Sequence, residues 1–192
     1  KDGWYRVGPL ARMNTCDYIP TPLAQKEFEI FKAYTNGKPN GMSMHMHWAR
    51  LIEILHSAEM MKELLNDPDL MTGELTVKGT KQKEGVGLLE APRGTLFHHY
   101  RINDDDQIEM ANLIVSTTNN NTPMNTAVNL AAKQFMNGQA EISEGMMNAV
   151  EVAIRAYDPC LSCATHALGK MPLEAIILDA NGMEIDRKLK NG

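Results

Sequence analysis

"GVGLLEAPRGTLFHHYRINDDDQIEMANLIVSTT", Gly85 to Thr118, decides the fold class, because it interrupts a chain that is otherwise helical in pattern. Its apolar residues come in short or alternating runs separated by glycines and an Asn103 to Gln107 turn, the pattern of a small antiparallel β unit. Working back towards the N-terminus, "SMHMHWARLIEILHSAEMMKELLND" (Ser43 to Asp67) carries Trp48, Leu51, Ile52, Leu55, Met60, Leu64 and Leu65 at helical spacing and stops before Pro68. It is the longest expected helix. "PLAQKEFEIFKAY" (Pro22 to Tyr34) reads as another, with Thr21 as cap and Gly37 beyond its end. Before it lies an irregular lead through Pro9 and Pro20. On the other side, helical spacing returns in "PMNTAVNLAAKQFMNG" from Pro123 and in "SEGMMNAVEVAIRAYD", where Ser143 is placed to cap. "LEAIILDANGMEIDRKL", from Leu173, reads as two strands about an Asn181-Gly182 turn. The expectation is a predominantly helical α+β chain with a small antiparallel β unit and a C-terminal β-hairpin.

With 192 residues and 43% apolar content, the chain can build one domain with a core, or two small ones. A formal net charge of -5 with scattered Lys and Arg excludes a general nucleic-acid binder. No apolar run is long enough for a membrane span, and "KDGWYRVGPLARMN" has no apolar signal-peptide core, so a cytoplasmic protein is expected. A start that lacks Met reads as a fragment or a trimmed chain. The 14 methionines read as adaptable core filler, with a copper-binding Met/His tract around His45 and His47 as the alternative. Three cysteines are too few for a secreted disulfide framework and point to a metal or redox role.

That role falls on "DPCLSCATH", Asp158 to His166. Asp158 suits an N-cap and Pro159 a first helical position, which would start a helix with Cys160 and Cys163 in its first turns. Thiols near the positive end of a helix dipole favour the thiolate, the form that binds metals. Residues three apart share a helical face, so Cys160, Cys163 and His166 would form a slanting row of donors. The spacing leaves several chemistries open. A thioredoxin-like dithiol normally follows a strand, whereas here a helix precedes it. A structural zinc site needs a fourth ligand, for which Cys16 or His99 would have to fold back. Inert buried cysteines remain a third reading. His98 and His99 read as hydrogen-bonded strand residues.

The extended string "RAYDPCLSCATHA" resembles the C-terminal signature of the nickel-iron hydrogenase large subunit, in the variant of soluble bidirectional and NAD-coupled members. "DGWYRVGPLARMNTCDYI", "MHWARLIEILH", "GVGLLEAPRGTLFHHY" and "NLIVSTTNNN" resemble further family segments in family order. The resemblance implies that Cys163 bridges nickel and iron and that Cys160 is terminal on nickel. It implies that His166, and a backbone carbonyl near Asn112, ligate magnesium. Arg93 in "EAPRG" matches an arginine suspended over the centre; with Pro92 and Ser116 it would surround the cyanide ligands of an iron that also carries carbonyl. Asp158 matches an acid paired with that arginine. Without the resemblance, Arg93 is a turn residue and Asp158 a helix cap.

Two departures shape the expected function. The family's first Cys-x-x-Cys pair and its N-terminal glutamate have no counterpart here, so residues 1-166 read as the C-terminal portion of the subunit, inactive alone. The family's mature subunit ends at the histidine, so 167-192 read as an uncleaved extension resembling the maturation peptide, or as a permanent hairpin. Implied partners are the missing N-terminal part, an iron-sulfur small subunit, nickel-loading factors and a maturation endopeptidase. In the intact enzyme hydrogen would be split heterolytically, the proton leaving through Cys160 with electrostatic help from Arg93. The alternative is a non-catalytic zinc- or nickel-binding assembly module; a complex-I-like subunit is a third reading, though such subunits have generally lost these cysteines.

Overall fold

A computed structural model describes residues 3–74, 76–160 and 172–190. The described residues form an α+β structure of six α-helices and five strands. The chain divides into two compact units, Val7–Ile114 and Lys1–Arg6 with Val115–Gly192. The expected boundary between residues 166 and 167 lies outside the described residues.

The Val7–Ile114 unit begins with a helix where an irregular lead was expected: α1, Pro9–Thr15. Pro9 sits in its first turn, where the fixed φ of proline is helical and the missing N–H costs nothing. α2 spans Pro22–Tyr34, the expected bounds, with Thr21 in the N-cap position as expected but with no capping bond from its side chain. The Thr21 hydroxyl instead meets His56 Nδ1 at 2.9 Å. The carboxylate of Glu59, on α3 (His45–Leu64), accepts from the Leu23 and Ala24 amides at 3.0 Å each. Desolvation opposes ionisation of Glu59, yet these amides, with Thr21 and His56 beside it, hold its carboxyl below the ordinary value. A sequence reads local caps easily and caps from a neighbouring helix not at all.

Phe28, Phe31, Met46, Ala49 and Ile52 are buried between α2 and α3, with Leu10 and Met13 of α1. Each large side chain of this set contributes on the order of 2 kcal/mol. Trp48 stands edge-on to Phe31 at 5.0 Å and donates to Glu27 at 2.7 Å. His45 packs edge-on to Tyr34 and Trp48 and meets Asn40 Nδ2 at 2.7 Å, so it belongs to an aromatic cluster. Only part of the expected α3 stripe is buried: Leu51, Leu64 and Leu65 are exposed.

A short 3-10 turn, Pro68–Met71, follows α3. Strands β1 (Glu84–Ala91), β2 (Gly94–Ile102) and β3 (Ile108–Ile114) then make an antiparallel sheet in that order. Leu88 pairs with Phe97, and His99 with both Val86 and Asn112. The histidines are bonded strand residues, His99 to Glu84 at 2.7 Å and His98 to the Tyr100 hydroxyl at 3.1 Å. The β unit ends at Ile114, earlier than its sequence texture indicates, and Ser116 opens a helix.

In the other unit, α4 (Ser116–Asn119), α5 (Asn121–Phe135) and α6 (Glu144–Ala156) precede the hairpin of β4 (Leu173–Leu178) and β5 (Glu184–Lys190). Met124, Ile142, Met147, Val150, Ala156 and Tyr157 are buried. The Tyr157 hydroxyl donates to Pro123 O at 3.0 Å, which lets a phenol sit in the core. Ser143 caps α6 as expected, accepting from the Met146 amide at 3.3 Å. Ser143→Ala should lower stability by about 1 kcal/mol in chemical denaturation. The hairpin is tied to α6 and the residues just before it by polar contacts: Asp186 accepts from Ile142 N at 2.7 Å, Lys188 meets Glu144 at 3.1 Å and Lys190 meets Glu151 at 2.9 Å.

Two hairpin turns share one design. In each, an Asn or Asp accepts amides two and four residues on, and the residue three on is left-handed. Asn103 accepts from Asp105 and Gln107 at 2.9 and 3.0 Å, with Asp106 at φ 64°. Asp179 accepts from Asn181 and Met183 at 2.8 Å each, with Gly182 at φ 82°. The Met183 amide leads in holding the Asp179 carboxyl below its ordinary value, against desolvation. A depressed folded pKa gives stability that is complete above the unfolded pKa and is lost as pH falls through the folded one. Asp179→Asn should therefore flatten part of the acid limb of the thermal midpoint against pH, lying below the unsubstituted chain at neutral pH and converging with it as pH falls through the folded pKa.

Candidate functional site

The expected site residues fall in both units, and each group has a local cause. Pro92 and Arg93 form the two-residue loop of the β1–β2 hairpin, between the paired residues Ala91 and Gly94. Both are exposed. The backbone of Val7 and Gly8 lies against this loop. A Cβ on Gly8 would stand 2.7 Å from Arg93 O, and one on Gly94 would stand 2.3 Å from Val7 Cγ2. Gly8 and Gly94 have φ of 99° and 130°, so glycine is required there twice over. Arg12 of α1 also grips the loop, donating to Ala91 O at 3.0 Å and Pro92 O at 2.8 Å. Its guanidinium is bidentate to Glu53 at 2.6 and 2.8 Å and reaches Glu90 at 2.5 Å. Burial alone would lower the Arg12 pKa, but Glu53 and then Glu90 outweigh it and hold the group above its ordinary value. Asn112 lies in the same unit, exposed on β3.

Ser116, Asp158 and Cys160 lie in the other unit. Ser116 is buried at the start of α4, with Thr117 buried beside it. α6 ends at Ala156, and Asp158 then takes φ 49° with its amide on Arg155 O at 3.0 Å. Asp158 is thus a left-handed C-terminal stop for α6, where an N-cap of a new helix was expected. Aspartate tolerates this conformation better than most residues, and Pro159 then prevents the helix from resuming. The two turn the chain so that the Cys160 amide donates to Thr117 Oγ1 at 3.2 Å. Pro159 and Cys160 are not helical, so Cys160 sits in a turn leaning on α4 where a first helical turn was expected, and whatever follows it lies outside the described residues. Cys163, His166 and the rest of the expected donor row lie outside the described residues.

Cys160 can act as a metal ligand through its thiolate. Cys16 is an exposed, free thiol in the Val7–Ile114 unit. Among the described residues no group of three His, Cys, Asp or Glu side chains is set to hold a metal. Within the Val115–Gly192 unit, the sulfur of Cys160 and the buried hydroxyl of Ser116 are donor types that suit a soft-metal centre, and in the other unit the Arg93 guanidinium is of a type that suits anionic ligands. They fit part of such a centre, because the chain's three cysteines include only one close pair. Two structural contributors were not legible in the sequence. Thr117 sits beside an expected residue with no motif of its own. Arg12 lies in a quoted family segment but has no spacing that ties it to the Arg93 turn.

The pattern of the nickel-dependent hydrogenase family matches residues 1–166. The NAD-reducing hydrogenase HoxS subunit beta of Cupriavidus necator is 55% identical over 193 residues, covering 99% of this chain and 40% of that one. An F420-non-reducing hydrogenase iron-sulfur subunit of Archaeoglobus profundus is 42% identical, over 97% of this chain and 38% of its own length. Among solved structures, an NAD+-reducing NiFe hydrogenase in the H2-reduced state superposes with a TM-score of 0.80 at 53% identity. That match covers 86% of this chain and 36% of the other. The chain thus spans about two-fifths of the length of these relatives.

Proposed function

The chain belongs to the nickel-dependent hydrogenase family, and from that premise we propose that it is the C-terminal portion of the catalytic large subunit of a nickel-iron hydrogenase. Its part in reversible hydrogen oxidation is to contribute Cys160 and Cys163, half of the thiolates that hold the nickel-iron group. Support is strongest at Asp158 to Cys160, where the left-handed stop and Pro159 turn the chain so that Cys160 leans on Thr117, next to Ser116. No helix among the described residues is long and apolar enough to cross a membrane; a cytoplasmic location is part of the proposal.

When bound, the nickel-iron group supplies the centre where hydrogen is split. This chain's residues hold it and place charge around it. Cys160 offers a soft sulfur that can also take a proton at Sγ. Arg93 would offer fixed N–H donors and a positive charge to the cyanide ligands of the group, and Pro92, Ser116 and Asp158 are proposed for the same group on their family likeness. His166 and the carbonyl near Asn112 hold magnesium. The missing N-terminal part supplies the other thiolates, and an iron-sulfur small subunit takes the electrons onward, to a nicotinamide in a complex like the NAD-reducing relative. Residues 167–192 are proposed as the peptide that a maturation endopeptidase removes after nickel-loading factors have acted.

The test is to co-produce this chain with the N-terminal part under reducing conditions and measure nickel, iron and magnesium with infrared spectra. Nickel and iron in equal amounts with cyanide and carbonyl bands is the expected result. Stoichiometric zinc with no bands would make the chain an assembly module. For the extension, mass spectrometry after endopeptidase treatment should yield a product ending at His166; its consistent absence would make the hairpin permanent.

A further inference from the structure

A guanidinium has five N–H donors in a fixed plane, and on Arg12 all five are used. Nε goes to Glu53 Oε1, Nη1 to Glu90 Oε1 and Ala91 O, and Nη2 to Glu53 Oε2 and Pro92 O. The acceptors come from three places: α3 through Glu53, the end of β1 through Glu90 and Ala91, and the loop itself through Pro92. Glu90 also accepts from the Thr95 hydroxyl at 2.9 Å, so its carboxylate ties both strands at the base of the loop. The Arg12 side chain is only 21% exposed. Gly8, whose backbone meets the same loop, is the residue just before α1 begins.

We propose that Arg12 is the positioning residue for Arg93: it ties the Pro92–Arg93 loop to α1 and α3 and so fixes the point from which the Arg93 side chain departs. This rests on the reading of Arg93 as a residue of the hydrogen-splitting site. Pro92 has no N–H, so beyond the Ala91 and Gly94 pair where the hairpin ladder ends, the backbone orientation of the loop can be gripped through its carbonyls. The two carbonyl bonds from Arg12 supply that orientation. Lysine cannot replace them. Its ammonium has three donors radiating from one point and cannot reach two carboxylates and two carbonyls together.

Arg12→Lys in the complete subunit with its iron-sulfur partner is the test, since it keeps the charge while removing the fork. Nickel and iron content should match the unsubstituted enzyme. Hydrogen-uptake turnover per nickel should fall by about ten- to a hundredfold, the scale for a misplacement near 1 Å, and the cyanide bands should shift. Hydrogen exchange of the amides at Arg93, Gly94 and Thr95 should quicken at least about tenfold, the factor for one lost charge-assisted bond, while α2 amides stay unchanged. Unchanged exchange at the loop would overturn the proposal whatever the metal content. So would turnover that falls only in proportion to nickel. An unsubstituted enzyme without cyanide bands would instead overturn the hydrogenase reading, and the exchange measurement would still decide whether Arg12 holds the loop.

Discussion

Replacing Arg93 with Lys in the complete enzyme is expected to lower hydrogen-uptake turnover per nickel by about 10²-fold, with nickel and iron content unchanged. The magnitude is that of removing a preorganised donor from a low-dielectric site. Lysine keeps the positive charge, so the loss reports geometry: a planar fork with fixed donors exchanged for a mobile, strongly hydrated point charge. The loop around Arg93 makes this a clean experiment. Arg93 is exposed in this chain and sits at the loop tip, so the backbone ties to Arg12 do not depend on which side chain it carries. Turnover at the unsubstituted level would reduce Arg93 to a turn residue and leave the site to the cysteines.

The largest expected effect on stability comes from Gly94→Ala. At φ 130° an L side chain is strained in any surroundings, and here the new Cβ would lie 2.7 Å from Val7 Cβ and 2.8 Å from Gly8 N as well as on Val7 Cγ2. Two of those three atoms are backbone or attached directly to it, so no rotamer change makes room. A loss of about 3 kcal/mol or more follows, which for a chain of this size lowers the thermal midpoint by roughly 6 to 12 °C. Gly182→Ala is the control. Its φ is 82°, but nothing lies within 4 Å of the added atom, so only the conformational cost of about 1 kcal/mol applies. Equal midpoints for the two variants would show that the approach of Val7 and Gly8 to the loop does not limit stability.

What could be read from sequence was what depends on neighbours along the chain. α2 lies between its Pro22 and the residues before Gly37, Ser143 caps α6, and the "NDDDQ" and "DANGM" turns hold their hairpins through one Asx side chain each. α1 escaped because seven residues beside several prolines give too short a periodic pattern to register, although Pro9 at its start is the usual signal. Asp158 misled for a physical reason: Asp-Pro serves equally as the start of one helix or the stop of another, and only the left-handed backbone at Asp158 distinguishes them. The candidate site could be picked out where it is carried by a continuous string, from Asp158 to Cys160, and at the Pro92-Arg93 loop. Its supports could not. Thr117 is 43 residues from Cys160, and Arg12 is 80 from Pro92, distances over which no local rule operates.

The filled donor set of Arg12 also limits how the loop can be borrowed. A designer who grafts the β1–β2 hairpin alone onto another scaffold takes Glu90, Pro92, Arg93 and Gly94 but leaves behind Gly8, Arg12 and Glu53. Such a graft would carry the right letters and an unanchored tip. The smallest transplantable module is the hairpin together with α1 and the middle of α3, three stretches of chain that have to travel as one part.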